Sequence, residues 1–230
     1  MLTIGLIGGM SWESTIPYYR IINQTVKEKL GGLHSAKIVL YSVDFEEIQR
    51  YQQAGDWAAA AQVLAHAANA LRLAGADFFL ICANTMHKVS DAVELAAGIP
   101  LLHVVDVLAD EIKQRKIGKI GLLGTRYTME QDFYRDRLSA NGIQAVIPDA
   151  SDRNTVHRVI YEELCLGKVS DQSRLAYREI IQRLIDDGAE GIVLGCTEIA
   201  MLIGQHDSAV PIFDTTEIHA RAAVDYALAT

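Results

Sequence analysis

Ile4-Gly5-Leu6-Ile7-Gly8 returns almost letter for letter as Ile120-Gly121-Leu122-Leu123-Gly124. Each run is too short for a helix and apolar throughout, the pattern of a strand buried on both faces. Two more matches follow in the same order at nearly constant spacing. Phe79-Leu-Ile-Cys-Ala-Asn-Thr85 pairs with Ile192-Val-Leu-Gly-Cys-Thr-Glu198, which sets Ala83 against Cys196, and Ile99-Pro-Leu-Leu102 pairs with Val210-Pro-Ile-Phe213. Three collinear matches point to two α/β halves of similar topology.

Outward from these anchors the chain alternates strand-like runs with helical stretches. Strands are expected at residues 3–7, 37–43, 77–82, 101–105, 119–123, 143–147, 191–194 and 211–213. Ser14 or Thr15 is expected to cap a helix carrying Pro17 and ending at Gly31-Gly32. Residues 57–73 read as a helix ending at Gly75. Thr128-x-x-Gln131 fits a capping box for a helix that stops at Asn141-Gly142. Residues 159–167 and 173–187 read as two further helices. The expected fold class is α/β: two similar domains, each a parallel sheet flanked by helices, related by pseudo-two-fold symmetry. The first half takes residues 1–105 plus 215–230, the second 106–214.

Composition agrees with a globular chain. Half of the 230 residues are apolar and 22% are charged, with a net charge of −8. Acidic residues are spread along the chain, which argues against nucleic acid and against an anionic membrane surface as partners. No apolar run approaches the ~20 residues of a bilayer span. The opening residues lack a basic segment and read as a first strand, not a signal peptide. Cys82, Cys165 and Cys196 are few, odd in number and far apart, which suggests free thiols in a reducing cytoplasm.

Parallel sheets bind ligands beyond the carboxyl ends of their strands. A cleft between the halves would then be lined by residues 8–15, 83–87, 124–128 and 196–199, loops rich in hydroxyl, amide and backbone N–H donors that suit a small carboxylate or phosphate. Gly8-Gly9-Met10 lacks the G-x-G-x-x-G spacing and reads as a close-packed turn beside a small pocket. There is no phosphate loop of the G-x-x-x-x-G-K-[ST] type, no H-E-x-x-H, no C-x-x-C and no G-x-S-x-G, so no metal is expected. Gly195-Cys196-Thr197-Glu198 is the sharper motif. A thiol at a strand end beside a helix N-terminus can have its pKa lowered and exchange protons; equally, a free cysteine there can be a small buried hydrophobe. A carboxylate as close as Glu198 would instead raise the thiol pKa and favour a protonated donor.

At these residues the sequence resembles the aspartate/glutamate racemase family. The motifs are Leu6-Ile-Gly-Gly-Met-Ser-Trp-Glu-Ser-Thr15, Asn84-Thr85-Met86-His87, Leu123-Gly-Thr-Arg-Tyr-Thr128 and Gly195-Cys-Thr-Glu198. They occur in family order, span essentially the whole chain, and match best the amino-acid racemase branch of cofactor-independent enzymes. The resemblance implies a substrate held between two α/β domains, one cysteine on each side of its α-carbon, no cofactor, and a homodimer. It implies Cys196 as one acid/base, Ala83 at the position of the other, and substrate contacts from Met10, Gln52, Asn84, Thr85, Thr125 and Thr197. The chemistry is coherent, because inverting a stereocentre through a planar carbanion needs a proton removed from one face and returned on the other.

Two departures stand out. Where the family carries its first cysteine, this chain has Ala83, and Cys82 one residue earlier should face the opposite side of the strand. A lysine that many relatives use to meet a substrate carboxylate is replaced by Cys165, leaving Arg126, Thr125, Tyr127 or Lys168 for that task. His87 and His219 either border the cleft or are satisfied histidines at helix starts. The resulting expectation is a cytoplasmic racemase of aspartate and glutamate, one-sided or impaired at position 83. The rivals are a one-thiol decarboxylase of substituted malonates and a dicarboxylate-binding protein without turnover.

Overall fold

The structure, a computed structural model, describes residues 1–229; Thr230, the last residue of the expected first half, lies outside them. Two compact units divide the chain. One comprises residues 1–104 with the stretch from His219 onward, the other Val105–Ile218.

The first unit runs β1 (Ile4–Gly8), α1 (Trp12–Leu30), β2 (Ile38–Ser42), α2 (Phe45–Ala54), α3 (Trp57–Leu73), β3 (Phe78–Ile81) and α4 (Ser90–Ala97). Its parallel sheet has the order β2-β1-β3, with Ile4 opposite both Ile38 and Phe78. The two-residue period of β3 sorts its side chains cleanly. Phe78, Leu80 and Cys82 join Ile4, Leu6, Tyr18, Ile22 and Val224 on one face, while Phe79, Ile81 and Ala83 join Ile7, Ile48, Leu64 and Val93 on the other. A one-residue slip would exchange the two sets, so register here is fixed by burial.

The second unit continues with α5 (Val104–Gln114, whose first residue belongs to the first unit), β4 (Lys119–Gly124), α6 (Arg126–Glu130), α7 (Asp132–Ala140), β5 (Gln144–Val146), α8 (Ala150–Glu162), α9 (Asp171–Asp186), β6 (Ile192–Gly195), β7 (Ile212–Asp214) and the start of α10 (Thr215–Leu228). Its sheet is also parallel, in the order β5-β4-β6-β7. The repeated strands β1 and β4 are central in their sheets, and β3 and β6 occupy the same place beside them. The α/β class with two helix-flanked parallel sheets is therefore what the molecule adopts.

Several local expectations need correction. Residues 101–105 do not form a strand: Leu101 makes a single bridge to Phe79, and helix α5 begins at Val104. Val104, Val105, Leu108, Ala109 and Ile112 are buried at helical spacing, so an apolar run that looked continuous is a strand stub joined to a helix start. The counterpart, β7, keeps three residues. Ser11, not Ser14 or Thr15, occupies the N-cap of α1; both later hydroxyls donate back to the Ser11 carbonyl, at 2.9 and 3.0 Å. Thr125 caps α6 by accepting from the Thr128 N–H, so Thr128 lies inside a helix and the capping box at Thr128-Gln131 does not form. Residues 159–167 are the end of α8 followed by a separate 3₁₀ turn, Leu164–Leu166.

Candidate active site

In the first unit, β1 runs into a turn that only glycine can make. A Cβ on Gly8 would lie 2.5 Å from Thr15 Cγ2, and one on Gly9, at φ +93°, would lie 2.3 Å from the Val43 carbonyl oxygen. The Gly9 N–H donates to Thr15 Oγ1 at 2.9 Å. This close packing matches the turn expected from the sequence and delivers Met10 into the cluster that contains Ala83, Met86 and Ile48. Gln52, buried on α2, donates from Nε2 to Met86 Sδ at 3.1 Å. Met10, Gln52 and Ala83 thus share one side of the sheet.

Beyond β3, successive residues part company. Cys82 is fully buried on the Tyr18–Ile22 face, where burial pushes its thiol far above the usual range. Ala83 is on the other face and retains 8% exposure. Asn84 and Thr85, both buried, lead into a 3₁₀ turn, Thr85–Val89. His87 in that turn is held by two backbone groups: Nδ1 is 2.9 Å from the Ala83 carbonyl oxygen, and Nε2 accepts from the Val104 N–H at 3.3 Å. His103 stacks edge-on against it, with centroids 4.5 Å apart, and His219 lies behind, 5.9 Å away. His219 is sealed between the Tyr18 hydroxyl (2.9 Å) and the Leu102 carbonyl (2.8 Å), and burial, with His87 nearby, lowers its pKa to about 3.

In the second unit, β6 ends at Gly195 and Cys196 follows in extended conformation at the head of a 3₁₀ turn, Thr197–Met201. Cys196 Sγ donates to Glu198 Oε2 at 3.0 Å, and Thr197 Oγ1 donates to the same oxygen at 2.9 Å. The carboxylate is almost wholly buried, so both short bonds act in a weakly screened setting. The thiol pKa is raised well above its ordinary value, first by burial and then by the Glu198 charge. The alternative expectation, a pKa lowered by a helix N-terminus, is corrected: one short 3₁₀ turn offers too little dipole to offset burial beside an anion.

The wall around Cys196 comes from α8 and the turn after it. Tyr161 feels burial first and then Cys196, Tyr127, Cys165 and Glu198, all of which raise its pKa. Cys165 is likewise raised by burial and by Glu198. Tyr161 packs on His157 with ring centroids 4.8 Å apart. His157 and Tyr161, four residues apart, share one face of α8, and Cys165 follows in the 3₁₀ turn beyond the helix end; His157 and Tyr161 were missed, although their spacing was readable. Thr125 sits across the sheet end, its hydroxyl 3.2 Å from that of Thr128. Arg126 goes elsewhere: it is exposed, and its guanidinium donates to Asn154 Oδ1 at 2.9 Å. Lys168 lines a hollow of about 470 Å³ with Arg158 and Glu163, a lining that does not include Cys196.

The structure thus gathers Cys196, Thr197, Glu198, Tyr127, Tyr161 and Cys165 in the second unit. In the first it gathers Met10, Gln52, Ala83, Asn84 and Thr85. Among the described residues no three His, Cys, Asp or Glu side chains stand together as a metal site, and no helix is long and apolar enough to cross a membrane.

Comparison with known proteins bears on these groupings. The family model Asp/Glu/Hydantoin racemase matches residues 7–223. A solved structure from Yersinia pestis, titled as a candidate Asp/Glu racemase, is 62% identical with a TM-score of 0.92, covering 99% of this chain and 100% of that one. An aspartate racemase homologue from Pyrococcus horikoshii is 36% identical with a TM-score of 0.85, covering 99% of each. The broad specificity amino-acid racemase RacX of Bacillus subtilis is 24% identical over 98% of both chains. This chain belongs to the Asp/Glu/hydantoin racemase family.

Proposed function

We propose that the chain is a cofactor-independent racemase of acidic amino acids, aspartate and glutamate, with the Cys196 thiol as acid/base at the substrate α-carbon. The observation that carries this reading is the buried thiol donating to Glu198 at the end of β6. As thiolate, Cys196 takes the α-proton and leaves a carbanion conjugated with the substrate carboxylate; as thiol, it returns a proton to the same face. Glu198 favours the protonated partner in this exchange. Hydroxyl and amide donors of Thr197, Thr125, Asn84 and Thr85 stabilise the enediolate-like carboxylate in place of an electron-sink cofactor. Met10 and Gln52 shape the side of the site that Ala83 leaves open.

Inversion needs a second proton source on the opposite face, and Ala83 has none to give. Exchange of the α-hydrogen is therefore expected to outrun inversion. The reading includes a cytoplasmic setting, supported by three free thiols. It also includes a homodimer, supported by Trp12, Ile16 and Tyr19, which lie exposed along one stripe of α1.

The test is incubation with each enantiomer of aspartate and of glutamate in deuterium oxide, following optical rotation and α-hydrogen exchange together. Exchange in excess of inversion supports a single working thiol. Tight dicarboxylate binding with no deuterium uptake would leave only the binding-protein reading, and release of carbon dioxide from a substituted malonate would favour the decarboxylase.

A further inference from the structure

His87 is buried and makes two bonds to the backbone, and their donors and acceptors fix its chemical form. The Val104 N–H can only donate, so Nε2 is the acceptor and carries no proton. The Ala83 carbonyl can only accept, so Nδ1–H is the donor, at 2.9 Å. One neutral tautomer satisfies both partners. A second proton would set Nε2–H against the Val104 N–H. Beside it, His103 packs at a steep angle, and His219 takes the opposite tautomer, Nε2–H to the Leu102 carbonyl and Nδ1 accepting from Tyr18.

The bond to Ala83 has a consequence for the residue after it. In a trans peptide the carbonyl and the next N–H point in opposite directions across one rigid plane. Drawing the Ala83 carbonyl toward the imidazole therefore aims the Asn84 N–H away from it. The plane so fixed begins at Ala83, the position the proposed reaction leaves without an acid/base.

We propose that His87 is a positioning residue, whose neutral Nδ1–H clamps the Ala83 carbonyl and thereby orients the Asn84 N–H as a donor to the substrate carboxylate. This rests on the racemase reading above. It assigns His87 no contact with substrate and no proton transfer; its effect passes through one peptide plane.

Two substitutions separate that role from mere filling of the core. In His87→Asn the carboxamide nitrogen reaches the place of Nδ1 and keeps the bond to Ala83. In His87→Gln the terminal group reaches the place of Nε2 and keeps only the bond to Val104. Losing an aimed oxyanion donor costs roughly 10²–10³ in kcat, so a misaimed one is expected to cost about 30-fold in His87→Gln, with KM changed much less. His87→Asn is expected to stay within about threefold of the parent. The Asn84 amide resonance should move in His87→Gln and stay in place in His87→Asn. Equal losses in both variants, or an unmoved Asn84 amide in His87→Gln, overturn the positioning role while leaving the racemase reading intact. A parent protein that exchanges no α-hydrogen overturns both. Ring nitrogen shifts of the parent decide the matter even if a variant fails to fold, because an Nε2–H tautomer at His87 is incompatible with the clamp.

Discussion

The loops after β3 and β6 are built alike and equipped differently. Each leaves the strand beside the repeated one, carries a small side chain of equal exposure and enters a five-residue 3₁₀ turn, which starts directly after Cys196 in one loop and past Asn84 in the other. After β6 the small side chain is a thiol, and the turn sends Glu198 back to it. After β3 it is a methyl group, and the turn sends His87 back to the carbonyl of the same residue. The chemical contrast between the loops thus lies in one side chain, thiol against methyl, while their backbones enter the turn differently, αR at Asn84 and extended at Cys196.

The largest expected effect tests the equipped loop. Cys196→Ser should reduce α-hydrogen exchange by about 10³-fold, within the 10²–10⁴ that a positioned acid/base contributes. Unchanged exchange, followed by proton NMR in deuterium oxide, would remove the thiol from the mechanism and erase the contrast between the loops. The next experiment equips the bare loop: Ala83→Cys should raise the ratio of inversion to exchange by about tenfold. An unaltered ratio would mean that a thiol at that position is not the missing element. Glu198→Gln removes the charge beside Cys196, so the pH at which the thiol becomes alkylated by iodoacetamide should fall, and kcat should drop by about tenfold. A profile left in place would reduce Glu198 to a bystander.

The smallest effect concerns stability in the first unit. Folded His219 titrates near 3, whereas an unfolded histidine titrates near 6.5. Between those values the unfolded chain takes up a proton that the folded chain refuses. Stability therefore falls as pH is lowered from about 6.5 toward 3, by at most about 1.4 kcal/mol per pH unit from this group, and levels off below. His219→Gln should flatten that part of the urea-unfolding profile; an identical slope would place the acid sensitivity elsewhere.

Much of this was legible in the chain. The repeated Ile-Gly-Leu run marked both central strands, and the period of two already separated Cys82 from Ala83. Gly195-Cys-Thr-Glu198 exposed the thiol and its carboxylate because the partners are two residues apart. What escaped shares a physical cause: the sequence does not reveal which of several chemically equal groups wins a single bond. Thr125 and Thr128 are both competent caps, and only backbone geometry selects the first. Val104 and Val105 suit a strand or a helix equally, and burial at 108, 109 and 112 decides for the helix. His87 stands out in the motif Asn84-Thr85-Met86-His87, but its two backbone bonds, one across four residues and another across seventeen, leave no trace in the spacing.

Trp12 and Trp57 are the only tryptophans in the chain, and both belong to the first unit. Trp12 is well exposed, and Trp57 has the Lys88 ammonium 4.6 Å from its ring centre. Intrinsic emission excited at the red edge therefore reports on the methyl-bearing unit alone and is dark to the thiol-bearing one. A melt followed both by this fluorescence and by far-ultraviolet dichroism would reveal, without any label, whether the two units come apart in one cooperative step or in two.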